Sequence, residues 1–385
     1  MSIDLPFHQS WFDDEEIDEV IDTLKSGWLT TGPKSFRFED AFQEYVGCRH
    51  AIALNSCTAG LHLSLTAQGF SPGDEVITTP MTFPATANMI VFSNLKPVFV
   101  DIEPGTLNLD ANRLEEKISP RTRAILPVHF SGHPCDMDTI NTIARKRNLL
   151  IVEDAAHALG ASYKGKRIGG LGNLTAFSFY ANKNITTGEG GMLVTDDDEL
   201  AEKFRSMRLH GLSRDAWNRF GKSGFAHWQL DSPGYKYNMS DINAALGIHQ
   251  LKKVERFLKI REQYVEMYNG AFRDGDELET LETKGYARNA LHLYVVALRL
   301  ERLTVTRDQF LDALQNSGIG IAVHYIALHL QPFYRDHFFH PPETLPVATR
   351  YSERILSLPL YPKMQPGDVE RVIHTVNQLI TKYRK

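Results

Sequence analysis

Between about residues 50 and 200, apolar positions form short, nearly continuous runs separated by segments with helical spacing. The runs are AIALNS, EVITTP, PVFVDIEP, RAILPVHF, LLIVEDAAH, LTAFSFYANK and GGMLVTDD. TAGLHLSLTAQG and DMDTINTIARKRN lie between some of them and carry apolar residues three and four positions apart. Buried strands interleaved with helices predict an α/β domain with a largely parallel sheet covered on both faces.

The pattern changes after residue 240. A long helical stretch begins at Ser240, which can act as its N-cap, and runs through SDINAALGIHQLKKVERFLKIREQYVEMYNGAF. Beyond it lie a strand-like LHLYVVALRL, a helix near TRDQFLDALQNSG and a C-terminal helix from Asp368. We therefore predict a large domain over residues 1–255 and a smaller α+β domain over residues 256–385.

Composition narrows the class of protein. The chain has 385 residues, 42% hydrophobic and 23% charged, and a net charge of -5, which gives no reason to expect nucleic acid or an anionic membrane as partner. No apolar run approaches the roughly 20 residues of a membrane span, and the acidic start lacks the layout of a signal peptide. Three cysteines without CxxC spacing predict neither a disulfide framework nor a metal site. These features favour a soluble, cytoplasmic protein.

Several of the strand-like runs end in polar residues, namely Asn55-Ser56, Thr78-Thr79, Asp101, His129 and Glu153-Asp154. In open α/β sheets, ligands bind beyond the carboxyl ends of the strands. We therefore expect the chemistry of the protein at this edge of the sheet.

Lys183 is the first candidate for that chemistry. It follows an apolar, aromatic run in FSFYANKNITTGEGG, where a lysine exposed at a strand end is the simplest interpretation. Two neighbours favour a functional one: Ser178 lies five residues upstream, and the following glycines let backbone approach a ligand. A desolvated lysine is a nucleophile that can form a Schiff base. GEGG is not followed by Lys-Ser/Thr, so it is not a P-loop.

Three further candidates precede Lys183. Thr58-Ala59-Gly60 open a helix after a strand, which suits either a simple N-cap or a phosphate site. Asp154 closes a buried strand three residues before His157; it can cap a helix or pair with the pyridine nitrogen of pyridoxal phosphate (PLP). Phe83 belongs either to the core or against a planar ring. Taken together along one domain, these residues form the set that PLP chemistry requires.

A family resemblance rests on blocks that span nearly the whole chain: SGWLTTGPK, NSCTAGLHLSL, GDEVITTPMTFPATANMI, PVHFSGHPCDMD, IVEDAAHALGASYKGKRIGG, FSFYANKNITTGEGGML, PGYKYNMSDINAALG and SLPLYP. In this order they resemble the DegT/DnrJ/EryC1/StrS family of sugar aminotransferases, which are fold-type-I PLP enzymes. SGWLTTGPK, VEDAAHALG and PGYKYNMSDINAA most resemble the branch that forms UDP-4-amino-4-deoxy-L-arabinose. The resemblance implies a large αβα domain with a mainly parallel seven-stranded sheet, plus the smaller C-terminal α+β domain.

The resemblance also implies residue roles around the cofactor. Lys183 would bind PLP covalently and then act as the acid-base group, and Asp154 would pair with the pyridine nitrogen. His157 would lie near the ring hydroxyl, where many relatives have glutamine, and Phe83 would stack on the ring. The residues that would hold the phosphate are Thr58, Ala59 and Ser178.

Other positions would act between two subunits or on the substrate. Asn238, in GYKYNMSD, would reach the phosphate from the neighbouring subunit, which implies a homodimer with shared active sites. Many relatives have GYNYRMSD there, so Lys236 and Asn238 follow the UDP-arabinose branch. The residues that would contact the nucleotide sugar are Gly27, Trp28, Leu29, Thr30 and His324.

The implied reaction moves the amino group of L-glutamate to the keto carbon of a nucleotide-linked sugar, for amino-sugar or surface-polysaccharide synthesis. C4 is the expected keto carbon, and C3 is the alternative. The nucleotide stays open among UDP, dTDP and GDP, and an N-acetylated 4-keto-6-deoxy sugar is an alternative substrate. Rival interpretations are a PLP-dependent sugar dehydratase, which would have histidine in place of Lys183, and a non-catalytic regulatory member of the family. A nicotinamide-dependent oxidoreductase would need GxGxxG, and GGLGN lacks that spacing.

Overall fold

The computed structural model describes residues 3–212, 230, 232–338 and 340–385. Its strands are β1 (His50–Leu54), β2 (Glu75–Thr78), β3 (Lys96–Phe99), β4 (Thr122–Leu126), β5 (Leu150–Asp154), β6 (Ser162–Tyr163), β7 (Lys166–Arg167), β8 (Leu174–Ser178), β9 (Gly191–Thr195), β10 (Leu278–Thr280), β11 (Ala287–Arg288), β12 (Tyr294–Leu298) and β13 (Ile355–Leu358).

The α-helices are α1 (Asp14–Ser26), α2 (Pro33–Val46), α3 (Cys57–Thr66), α4 (Pro84–Phe92), α5 (Met137–Arg147), α6 (Asp198–Met207), α7 (Asp241–Lys252), α8 (Val254–Phe272), α9 (Arg307–Asn316), α10 (Pro332–His337), α11 (Pro346–Ser352) and α12 (Pro366–Tyr383). Short 3-10 helices lie at Ala111–Arg113, Glu115–Lys117, Phe130–Gly132, Leu300–Arg302, Leu328–Leu330 and Pro342–Thr344. None of the helices in the described ranges has the length and apolar character that a bilayer crossing needs.

Seven strands form the main sheet, in the order β1-β9-β8-β5-β4-β2-β3. Neighbouring strands are parallel except around β9, which runs antiparallel to both β1 and β8. Each of the seven apolar runs contains one of these strands, so the predicted, largely parallel sheet is confirmed. Because β4, β5 and β8 are parallel neighbours, their carboxyl ends meet at one edge.

Both faces of this sheet are covered. Along β1, Ala51 and Ala53 join one apolar cluster, whereas Ile52 and Leu54 join the other, as expected for side chains that alternate across a strand. Helix α2 packs on the first face and helix α3 on the second. A sheet buried on both sides explains why its strands have continuous apolar runs.

A smaller antiparallel sheet, β10-β12-β13, packs with α8, α9 and α12 in a second core. The predicted strand near residue 295 and the predicted helices are present. Thr306 and Gln309 form the capping box of α9, and α12 begins at Pro366, two residues before the predicted start. Ser240 caps α7 as expected, since its Oγ accepts from the Asn243 amide at 3.3 Å. The long helix predicted after it is instead divided at Lys253 into α7 and α8.

The predicted division after residue 255 falls in the first turn of α8. Val254 at the start of this helix packs in the core of the large sheet, whereas Tyr268, further along, packs in the second core. Leu5 from the N-terminal segment also joins the second core, next to its bridge partner Ile319. Helix α8 and the N-terminal segment therefore link the two units, and the boundary itself stays a prediction.

Candidate active site

A cleft of about 730 Å³ opens at the carboxyl ends of β1, β5 and β8. Its walls come from the loops after these strands, from the start of α4 and from residues 323–331 of the second unit. The predicted site residues in its lining are Thr58, Phe83, Asp154, His157, Ser178, Lys183 and His324. Residues from five separate parts of the chain thus meet where the sheet edge predicts a ligand site.

Lys183 lies in a turn after β8, where its backbone amide donates to the Tyr180 carbonyl at 2.9 Å. Burial lowers the pKa of its ammonium from 10.5 to about 8, against the opposing attraction of the Asp154 carboxylate. Within the described ranges, the ammonium has no hydrogen-bond or ion-pair partner. A sizeable neutral fraction near physiological pH makes this amine a competent nucleophile.

Asp154 is the last residue of β5, and its carboxylate is almost fully buried. Its Oδ2 accepts from the Thr86 hydroxyl at 2.8 Å, and its Oδ1 accepts from the Ala156 amide at 3.1 Å. Burial raises the pKa of Asp154, while the Ala156 and Thr86 donors and the charge of Lys183 oppose that rise. The carboxylate is therefore fixed in direction and strongly favours a cationic partner.

Thr86 belongs to a hydroxyl chain that sequence reasoning missed. Its only proton goes to Asp154, so its oxygen accepts from the hydroxyl of Thr82, which lies 2.8 Å away. Both threonines are buried. The signal was present in TFPAT, where one threonine lies in the first turn of α4 and the other lies just before the helix.

Helix α3 begins directly after β1, with its amino end at the cleft. Ser56 caps it by accepting from the Ala59 amide at 3.1 Å, and the hydroxyl side chains of Thr58 and Ser178 line the cleft nearby. Ala59 itself is buried and contributes its backbone. Across this turn, a Cβ on Gly191 would lie 2.3 Å from the carbonyl carbon of Ser56, so only glycine lets the two backbones approach so closely. The result is a compact cradle beside two partly buried hydroxyl side chains and a helix start.

The opposite wall carries rings. The His157 ring is buried, with Nδ1 3.3 Å from the Ser131 amide nitrogen and Nε2 3.2 Å from the Tyr325 hydroxyl oxygen. Tyr325 lies 6.2 Å from the ring of Phe83, which is 60% exposed and projects into the cleft. A cis peptide bond joins Tyr325 to His324.

The histidines of this wall are held in their neutral form. Burial lowers the pKa of His324 to about 4, and the nearby charge of Lys183 adds to the effect. The Nδ1 of His324 lies 2.9 Å from the Ser357 hydroxyl. Burial also lowers the pKa values of His157, His292 and His8, each with a further contribution from Lys183. Four neutral imidazoles therefore lie near the lysine; His157 and His324 were predicted, whereas His8 and His292 come from distant parts of the chain and were missed.

Two predicted elements lie outside the cleft of this chain. The side-chain amide of Asn238 donates to the Thr31 hydroxyl at 2.7 Å, and its buried Oδ1 has no hydrogen-bond partner among the residues that the structure describes. The loop of Gly27, Trp28, Leu29 and Thr30 follows α1 and does not line the cleft. Trp28 and Leu29 are 40% and 45% exposed. Neither element reaches Lys183 within one subunit.

The residues present fit pyridoxal phosphate. A buried carboxylate suits a pyridinium nitrogen, a lysine with a lowered pKa suits the aldehyde, and a helix start with two hydroxyls suits a phosphate. Combined with a mainly parallel seven-stranded sheet and a smaller second unit, this arrangement is that of a fold-type-I PLP enzyme.

Comparison with known proteins agrees. The model of the DegT/DnrJ/EryC1/StrS aminotransferase family matches residues 11–377, and the chain belongs to this family. The spore coat polysaccharide biosynthesis protein SpsC of Bacillus subtilis is 48% identical over 377 residues, which are 98% of this chain and 97% of SpsC.

Solved structures give the same result. PseC of Helicobacter pylori, an aminotransferase involved in the biosynthesis of pseudoaminic acid, superimposes with a TM-score of 0.92 at 32% identity, covering 98% of this chain and 99% of PseC. A Streptococcus pneumoniae protein in its PLP form superimposes with a TM-score of 0.90 at 33% identity, covering 98% of this chain and 99% of that one. The predicted fold class, PLP cofactor and sugar-aminotransferase class are confirmed.

Proposed function

We propose that this enzyme transfers the amino group of L-glutamate to the keto carbon, C4, of a nucleotide-linked sugar in the cytoplasm. The observation that carries the proposal is the unpartnered Lys183 in one cleft with the buried carboxylate of Asp154. In such a pair, the lysine can transfer a proton at one end of a bound ligand, and the aspartate provides a fixed negative charge at the other end.

When bound, PLP supplies an electron sink and a temporary carrier for the amino group. The chain's own residues do the remaining work. Lys183 holds the cofactor at rest and, once released, moves a proton at the substrate carbon; its pKa of about 8 lets the same amine accept and donate that proton near neutrality. Asp154, oriented by Thr86 and Ala156, holds the proton on the ring nitrogen.

The other predicted residues bind and orient. Thr58, Ser178 and the backbone at Ala59 hold the phosphate at the start of α3. Phe83 would cover one face of the ring, and His157 would lie near its hydroxyl, since both line the cleft. His324 lines the cleft from the second unit, and we assign it to the sugar.

The substrate class is supported by the relatives. SpsC is named for the biosynthesis of spore coat polysaccharide, and PseC is described as an aminotransferase in the biosynthesis of pseudoaminic acid. We therefore assign the amino sugar made here to a surface polysaccharide, with lipopolysaccharide as one such product. A 4-keto sugar linked to UDP is the first choice, and an N-acetylated 4-keto-6-deoxy sugar is the second.

We further propose a homodimer with shared active sites. Asn238, with its unpartnered Oδ1, and the loop of residues 27–30 lie outside the cleft of their own chain. Close to that loop, Ile17, Ile21 and Leu24 form an exposed apolar stripe at helical spacing on α1. A second copy related by a two-fold axis would cover this stripe and bring both elements to the partner's cleft.

Hybrid dimers test the sharing. Lys183→Ala and Asn238→Asp subunits are each expected to be inactive alone, the second because a carboxylate repels the phosphate. After mixing and exchange, a hybrid dimer has one site with both residues intact, and activity should return. Sites contained within single chains would give no recovery.

Half-reaction spectroscopy tests the reaction itself. Addition of L-glutamate to the enzyme should abolish the absorption of lysine-bound PLP and release 2-oxoglutarate. Candidate UDP-, dTDP- and GDP-linked keto sugars are then added one at a time, and the correct substrate restores the absorption and forms an amino sugar. Release of water from the sugar without amination would indicate the dehydratase, and no response to any amino donor would indicate the regulatory alternative.

A further inference from the structure

His157 and Tyr325 form a hydrogen-bonded pair whose direction is fixed by the backbone. The Nδ1 atom of His157 lies 3.3 Å from the backbone nitrogen of Ser131, and a backbone N–H can only donate. Nδ1 is therefore the acceptor and carries no proton. A neutral imidazole has a single N–H, so that proton lies on Nε2.

The surroundings of the ring keep it neutral. Burial lowers the pKa of His157 well below its usual range, and the charge of Lys183 acts in the same direction. The ring of His292, also buried, lies 4.3 Å away. Its Nδ1 lies 3.0 Å from the side-chain oxygen of Asn184, so it takes no part in the pair with Tyr325.

The direction carries over to Tyr325. The N–H on Nε2 of His157 faces the tyrosine hydroxyl oxygen at 3.2 Å, so the histidine donates and the tyrosine accepts. The phenol proton of Tyr325 is therefore not used in this hydrogen bond, and across the described ranges the hydroxyl has no second partner. Burial raises the pKa of Tyr325 above its usual range, so this proton stays on the oxygen. Tyr325 lines the cleft, where a ligand atom can accept the proton.

We propose that Tyr325 donates its phenol proton, in a hydrogen bond, to an oxygen of the molecule bound in the cleft, and that the Ser131 amide sets this direction through His157. The acceptor is an anionic or carbonyl oxygen. Two sources offer one: the hydroxyl oxygen of the PLP ring and the keto oxygen of the incoming sugar, the second of which rests on the proposed function. Donors aimed at an oxygen that gains negative charge typically change rates by about 10²-fold to 10³-fold.

The same logic predicts which residues can replace His157. A glutamine side chain has an oxygen that can accept from the Ser131 amide and an NH₂ group that can donate to Tyr325. A leucine can do neither, and it leaves the Ser131 amide without its acceptor. His157→Gln should therefore preserve the direction of the pair, whereas His157→Leu should lose it.

The tautomer is measured directly on the protein without substrate. In ¹⁵N-labelled protein at pH 7.5, the His157 ring should show a protonated Nε2 and an unprotonated Nδ1, with the signal assigned by its absence in His157→Gln. A proton on Nδ1, or a charged imidazolium, would overturn the proposal. This result does not depend on which sugar the enzyme aminates, so it is separable from failure of the proposed function.

Tyr325→Phe identifies the acceptor, with Tyr45→Phe as the matched control. Tyr45 loses a hydroxyl that donates to Glu255 at 2.9 Å, far from the cleft lining. If the PLP oxygen is the acceptor, Tyr325→Phe should weaken PLP binding and shift the pH midpoint of its absorption. If the sugar oxygen is the acceptor, the spectrum and the glutamate half-reaction stay unchanged, and the sugar half-reaction slows about 10²-fold.

The histidine variants complete the test. His157→Leu should reproduce the effect of Tyr325→Phe, because the Tyr325 hydroxyl is no longer oriented. The double variant should be little worse than either single variant, because each substitution abolishes the same hydrogen bond to the ligand. His157→Gln should retain most of the affected property. If Tyr325→Phe alters neither PLP binding, the absorption midpoint nor the sugar half-reaction, the proposed donor role is wrong.

Discussion

Lys183 and Lys253 are two lysines that this fold removes from water, and their surroundings are opposite. The Nζ of Lys253 lies 2.7 Å from Oδ2 of Asp13 and 2.7 Å from Oε1 of Glu16, at the junction of α7 and α8. Lys183 is close enough to Asp154 to interact through its charge but has no direct partner in the described ranges. A buried cation with two carboxylates serves structure, whereas one without a partner is available for chemistry.

The pKa values show the same contrast. The hydrogen bond from Lys253 lowers the pKa of Asp13. Burial works to raise the pKa of Glu16, but donors led by Lys253 outweigh it and the net change is downward. At Lys183, burial dominates and lowers the pKa to about 8. The carboxylates beside Lys253 are therefore stabilised as anions, whereas the ammonium of Lys183 is close to losing its proton.

The largest expected effect separates the two lysines by activity. Lys183→Arg should reduce transamination by about 10⁴-fold, because a guanidinium cannot lose its proton and so can neither bind the aldehyde nor move a proton. Lys253→Arg should keep most of the activity, because a guanidinium can bridge the same two carboxylates. Steady-state rates with glutamate and the keto sugar, measured at equal folded fractions, check this.

Comparable losses of activity in the two variants would show that Lys183 and Lys253 do not differ in their importance for catalysis. Circular dichroism and the unfolding midpoint of Lys183→Arg serve as controls, since a misfolded protein would lose activity for another reason. Retained activity in Lys183→Arg would instead exclude this residue as the reactive amine.

The part of the molecule that the sequence predicted is the part specified by local pattern. The seven strands were recognisable because each is a short apolar run that ends in polar residues, and Ser240 because a cap acts on its own helix. Lys183 and Asp154 were recognisable because they follow such runs directly. Structure that depends on contacts between residues close in sequence can be recognised from the local sequence pattern.

Features that depend on distant contacts were missed. The break between α7 and α8 lies at Lys253, whose partners are 240 and 237 residues away, and nothing in the continuous helical pattern shows it. The two-residue strands β6 and β11 pair Tyr163 with Ala287 and have no apolar run to mark them. Tyr325 reaches the cleft from the second unit. Asn238 was expected to act on the cleft of the neighbouring subunit, and it lies outside the cleft of its own chain, so that role stays a prediction.

The next largest effect concerns stability at the paired lysine. Lys253→Met should destabilise the cofactor-free protein by about 3 kcal/mol, because the fully buried carboxylate of Glu16 loses its cation. The estimate lies at the low end for a broken buried pair because Gln250 and the Asp13 amide still donate to Glu16. The midpoint of urea unfolding measures the loss.

A neutral partner sharpens this result. Glu16→Gln in the Lys253→Met background removes the unpaired charge, so the double variant should recover part of the lost stability. If the double variant is as unstable as the sum of the single variants, the loss at Lys253 comes from packing and not from charge.

The last expected effect is comparable in size and has the opposite sign. Lys183→Met should stabilise the cofactor-free protein by about 3 kcal/mol at pH 7, because a pKa lowered from 10.5 to about 8 means that folding weakens proton binding. Below about pH 8 the lysine is charged in both states and its burial costs the full amount. Between about pH 8 and 10.5 the unfolded state binds more protons, so the wild-type protein gains stability with rising pH and the difference from Lys183→Met shrinks.

Unfolding midpoints of both proteins at pH 7 and pH 10 check this, and other titrating groups cancel because they are common to both. A variant that is less stable at pH 7, or an advantage that grows with pH, would mean that Lys183 is stabilised as a cation in the way that Lys253 is.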